Sequence, residues 1–86
     1  MVLYMEIAHT RADRRRGLMG RRRTDEPLMI PGCRWVHTFG MRFPILVAYL
    51  DREERVVDLV RMEPGRLGRP RLRARHVLEI PLEPAA

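Results

Sequence analysis

Cys33 and His37 lie four residues apart in the stretch Pro31 to Asp51, PGCRWVHTFGMRFPILVAYLD, which also carries the only Trp and both Phe of the chain. A thiol and an imidazole can act as nucleophile and base, provided they meet within hydrogen-bond reach and a third group orients the base. With His9 and His76 they are also the chain's Cys and His metal ligands, although their separations match no zinc-binding spacing. The plain alternative is a small buried Cys and a His whose ring nitrogens are satisfied locally. Around them, Trp35, His37, Thr38, Phe39, Met41 and Arg42 combine aromatic, polar and cationic groups, the composition that ligand sites favour. The alternative there is core packing of the aromatics with Arg42 exposed.

Composition narrows the chemistry. The 86 residues include no Lys, Ser, Asn or Gln, and all 17 basic residues are Arg. A serine nucleophile, a lysine Schiff base and a Walker-type phosphate loop are therefore excluded, and Ser, Asn and Gln cannot orient a Cys–His pair. A single Cys excludes an internal disulfide and paired-cysteine zinc knuckles, and it suits a reducing compartment. MVLYMEIAHT lacks a basic region followed by a long apolar one, and no segment reaches the ~18 apolar residues of a membrane span. The expectation is a cytoplasmic, soluble protein with no membrane association and no cofactor.

The net charge of +6 is concentrated in one segment. Between Arg11 and Arg23 there are seven Arg against Asp13 alone, while the remaining ten Arg and ten acids cancel. Arg14, Arg15, Arg16, Arg21, Arg22 and Arg23 form a basic patch which, with the acid-free run Arg66 to Arg75, could serve as a footprint for phosphate backbones. Few aromatics accompany it and no nucleic-acid-binding module is visible, so a solvated basic face is the preferred explanation.

The elements that must position these groups are mostly strands. Val2 to Ala8 reads as a first strand, and Thr10 with Asp13 resembles a capping box opening a helix that ends near Met19. Leu28 to Ile30 is a short strand closed by Pro31 and Gly32. Cys33 to Thr38 is a further extended run, with Cys33, Trp35 and His37 on one face and Arg34, Val36 and Thr38 on the other. Ile45 to Leu50 is apolar without alternation and reads as a strand buried on both faces. Asp51 to Glu54 has the length and polarity of a hairpin connection to Arg55 to Met62. In that strand Val57 and Leu59 are expected on one face, and Val56, Asp58, Val60 and Met62 on the other. Pro64 to Pro70 is a loop, and Val77 to Ile80 the last strand, stopped by Pro81 and Pro84. The fold class expected is mainly β: one small domain over residues 1–86, a β-sandwich or barrel-like sheet with one short N-terminal helix.

Two motifs carry a family resemblance. Arg16, Gly17, Leu18, Met19, Gly20 and Arg21 supply GLMGR with its preceding Arg. Cys33, Val36, His37, Thr38, Met41, Phe43, Pro44 and Ile45 supply C-x-x-V-H-T-x-x-M-x-F-P-I. In order and spacing the chain resembles the uncharacterised prokaryotic family known as domain of unknown function 192, over nearly its whole length. The resemblance implies a compact, mostly β domain and no activity. It also implies an Asp where this chain has Leu46, and a closing segment after the last strand where this chain has only Leu82 to Ala86. An unpaired edge would follow, and with it a homodimer or a strand supplied by another protein. The functional reading is a non-enzymatic accessory domain binding a small ligand or protein partner through Trp35, His37, Thr38, Met41 and Arg42. The alternatives are an enzyme or metal site at Cys33 and His37, and nucleic-acid binding through the basic patch.

Overall fold

The computed structural model describes residues 6–8, 10, 17 and 26–82. Among them, five strands form one sheet: β1 (Glu6–Ile7), β2 (Leu28–Pro31), β3 (Ile45–Leu50), β4 (Val56–Met62) and β5 (His76–Pro81), in the order β1-β2-β5-β3-β4. β1 is parallel to β2, and every other pairing is antiparallel. The domain is mainly β, as its sequence predicts. Apart from Thr10 and Gly17, the helix expected between Thr10 and Met19 lies outside the described residues, as does the start of the first strand. No helix among the described residues is long and apolar enough to cross a membrane.

β3 is an interior strand of the sheet: both of its edges are paired, by β4 and β5, and both of its faces are apolar. Directly opposed residues project to the same face. Ile45, Val47 and Tyr49 therefore share one face with Met62, Val60 and Asp58 of β4 and with Glu79 and Val77 of β5. Leu28 and Ile30 of β2 join that face opposite Glu79 and Val77. The buried cluster gathers there and adds Val36, Met41, Phe43 and Ala74 from outside the strands. Each large aliphatic side chain buried in it contributes about 1.5–3 kcal/mol relative to exposure. The other face carries Met29, Leu46, Leu78 and Ile80, all half-buried, around the buried Ala48.

Three expectations need correction. Cys33 to Thr38 is not a regular strand: after the turn at Gly32 it makes a single bridge, His37 to Leu67, and its carbonyls reach residues 66–71 irregularly. Val56 does not share a face with Val60 and Met62, because the β3–β4 ladder shifts register between Tyr49 and Leu50. Leu50 opposes Val56 while Tyr49 opposes Asp58, so Val57 is the extra residue of a bulge and everything before it changes face. The last strand is not left at an edge. β5 lies between β2 and β3, and the edges among the described strands are β1 and β4. The hairpin is as expected: Asp51 Oδ1 accepts the backbone N–H groups of Glu53 and Arg55.

Candidate functional site

The segment carrying Trp35 and His37 is held against residues 66–71 by a ladder of backbone bonds. Arg71 N–H donates to Arg34 O, Gly68 N–H to Val36 O, and Thr38 N–H to Arg66 O. Gly68 is required there, since a Cβ would stand 2.8 Å from Val36 O. Thr38 locks the far end. Fully buried, its hydroxyl donates to Glu63 O at 2.6 Å and accepts the Arg66 N–H at 2.8 Å, while its carbonyl accepts from Met41 and Gly65. Thr38 and Met41 are thereby structural. Met41 belongs to the buried cluster, which corrects its place among the ligand-facing residues: an apolar, flexible Met fills the core beside Phe43 rather than facing solvent.

What remains outside is a rim. Val36 and Thr38 point inward, whereas Trp35 is 53% exposed, Phe39 48% and Leu67 59%, with His37 and Arg42 also exposed. The Trp35 indole N–H donates to Gly68 O at 2.7 Å, so the ring is fixed although half of it meets water. His37 stacks on Phe39 with ring centroids 5.1 Å apart, and its Nδ1 accepts the Phe39 N–H at 3.3 Å. Arg66 and Arg69 flank the rim from the facing segment and are exposed.

The 66–71 segment also bounds a cleft of about 570 Å³ whose other wall is β4, with Tyr49, Asp58, Met62, Arg66, Gly68 and Arg71 among its lining. Arg71 lies 4.5 Å from the centre of the Tyr49 ring and donates from Nε to Asp58 Oδ2 at 2.9 Å. It also donates to the Arg69 carbonyl. The bond from Arg71, followed by the Leu59 N–H, holds the Asp58 carboxyl below its ordinary range. Burial pushes the Tyr49 phenol up, against the opposing pull of Arg71. None of Tyr49, Asp58 and Gly68 stands out in the sequence: Tyr49 is one letter in an apolar run, and the others lie in segments that read as connection or alternation.

Cys33 and His37 are not joined by a hydrogen bond. The thiol donates instead to Trp35 O at 3.1 Å, and burial raises its pKa above the ordinary value, outweighing the lowering by that bond. A raised pKa leaves less thiolate at neutral pH, so Cys33 is expected to react with a disulfide reagent such as DTNB more slowly than free cysteine at pH 7. Labelling as fast as the free amino acid would show a more open thiol. Among the described residues no group of three or more His, Cys, Asp and Glu side chains gathers as a metal site. His76 Nδ1 accepts the Gly32 N–H, and His9 lies outside the described residues. Arg14, Arg15, Arg16, Arg21, Arg22 and Arg23 also lie outside them. Leu46 is half-buried on the sheet face away from the cluster, opposite Arg61 and Ile80, so its difference from the family pattern does not touch the rim.

Fold and site together describe a mainly β domain with a pinned aromatic rim flanked by Arg. The chain belongs to the uncharacterised family DUF192, described as Uncharacterized ACR, whose profile matches residues 1–86. No curated protein matches it. Among solved structures it is similar to a protein of unknown function from Novosphingobium aromaticivorans, with a TM-score of 0.77 and 23% identity over 92% of this chain. The chain spans 63% of the length of that protein. At that identity the likeness shows the fold.

Proposed function

We propose that this domain is a non-enzymatic, cytoplasmic accessory protein that binds a protein partner through the rim of Trp35, His37, Phe39 and Leu67. The observation that carries the reading is the Trp35 indole, fixed on Gly68 O while half its ring stays exposed. A large aromatic already held in place loses little entropy on docking, and Trp and Arg dominate the binding energy of protein interfaces. Arg42, Arg66 and Arg69 border the aromatics, so the fitting partner offers an apolar pocket edged by carboxylates. The absence of a bond between Cys33 and His37, and the raised thiol pKa, support binding over nucleophilic catalysis. The irregular pairing of 34–38 with 66–71 supports a sandwich-like second layer over the sheet. A homodimer through an open edge, expected from the sequence, would use an edge strand, β1 or β4 among the described strands.

The test is quantitative affinity capture from extract of the source cell, with wild type, the double variant Trp35→Ala/Phe39→Ala, and Arg52→Ala in the hairpin as control. Partners held by wild type and control should bind the double variant at least about tenfold more weakly, since anchor residues typically cost over 1 kcal/mol each. Capture that is equal across all three proteins, with each shown to be folded, would rule out the rim as the binding face.

A further inference from the structure

The Tyr49 hydroxyl is the one buried side-chain oxygen or nitrogen among the described residues that lacks a hydrogen-bond partner. Tyrosine hydroxyls in cores are normally paired, and an orphan is costly enough to call for an explanation. This one belongs to a side chain that lines the cleft between β4 and the 66–71 segment. A Cβ built on Gly68 would lie 3.4 Å from the hydroxyl and 3.4 Å from the Met62 Cε, so the Gly68 backbone and the Met62 methyl both stand at this end of the cleft. Methionine has three rotatable side-chain bonds, and its methyl is among the easiest groups in a protein to displace.

The cleft is also charged on one side of neutrality. Arg61 is paired with Glu63 and Arg71 with Asp58, at 2.9 Å in both cases. Arg66 and Arg69 line the same cleft and hydrogen-bond no carboxylate among the described residues, leaving an excess of two positive charges. A volume of about 570 Å³ is that of a small-molecule site and far exceeds a single inorganic ion. We propose that this cleft binds a small organic dianion, a phosphate monoester or a dicarboxylate, whose oxyanion lies against Arg66 and Arg69 and accepts the Tyr49 O–H once the Met62 methyl swings aside. Guanidinium groups suit both oxyanions, and a neutral phenol adds one further O–H donor. The raised Tyr49 pKa keeps that phenol protonated at neutral pH. The two readings share Arg66 and Arg69, but this one rests on Tyr49 and the rim on Trp35, so the failure of either is read separately.

Calorimetric titration of the full chain at low salt, with phenyl phosphate, succinate and the uncharged ester of each, tests the proposal. At least one dianion should bind and its uncharged ester should not; which dianion binds identifies the oxyanion. Tyr49→Phe should weaken binding about tenfold, the loss of one hydrogen bond to a charged group, while leaving the melting temperature equal or higher because an orphan hydroxyl has been removed. Arg66→Ala and Arg69→Ala, both at exposed positions, should each weaken it about fivefold or more. Failure of both dianions to bind would overturn the proposal. So would binding that Tyr49→Phe leaves unchanged, or, should that variant not fold, binding indifferent to both Arg substitutions.

Discussion

Replacing Thr38 with Val is expected to cost about 2–4 kcal/mol of folding stability, a large share of what a small domain has. Val matches Thr in shape, so packing is kept and only the hydroxyl goes. That hydroxyl joins two points of the facing segment, donating to Glu63 O and accepting from Arg66 N–H. With Thr38 fully buried, water cannot replace it, and each abandoned backbone group bears its own desolvation cost of about 1–3 kcal/mol. Thr38→Ser, which keeps the oxygen and loses a methyl, should cost about 1 kcal/mol or less. Denaturant unfolding of the two variants measures the difference. A Val variant within about 0.5 kcal/mol of wild type would mean that the hydroxyl does not hold the 63–66 turn.

Gly17→Ala should destabilise by about 2–3 kcal/mol, from two separate causes. Gly17 has φ +52°, in the left-handed region that costs an L-residue about 1–2 kcal/mol. Its Cβ would also stand 2.7 Å from Glu79 Oε1, a carboxylate only 4% exposed. Buried between the neighbouring strands β2 and β3, Glu79 has little room to retreat. The GLMGR motif thus has a physical reason for its first glycine. Calorimetric melting distinguishes the causes: Gly17→Asn, which tolerates positive φ, should recover part of the backbone cost but none of the clash. An unchanged melting temperature for Gly17→Ala would mean that this close approach is absent in solution.

Much of the sheet is legible because its signals are local. The unbroken apolar run Ile45 to Leu50 announces a strand buried on both faces, and Asp51 to Glu54 announces its hairpin, since the Asp side chain caps its own turn. The alternation expected from Cys33 to Thr38 separates exposed from buried residues at Trp35, Val36, His37 and Thr38 but not at its start, where Cys33 packs against the core and Arg34 is exposed. The bulge is not legible. Val56 and Val57 are both β-branched, and nothing in their chemistry says which is the extra residue. The pairing of 34–38 with 66–71 is also hidden, because its partners are some thirty residues apart and the second lies in a Gly- and Pro-rich stretch that reads as loop. Tyr49 illustrates the deeper difficulty. A hydroxyl matters only once its surroundings are known, and this one lies orphaned near Gly68, which is not near it in sequence.

The central claim is that Trp35 is fixed by the 66–71 segment and yet presented to solvent, and Trp35 is the chain's only tryptophan. The most direct measurement pairs hydrogen exchange of its indole N–H, by NMR, with acrylamide quenching of its fluorescence on the same sample. The account predicts an indole proton that exchanges well below the free-indole rate, because Gly68 O accepts it, together with emission that acrylamide readily quenches. Exchange as fast as free indole would mean an unpinned side chain, and a blue-shifted emission resistant to acrylamide would mean a buried one; either result contradicts the preformed rim.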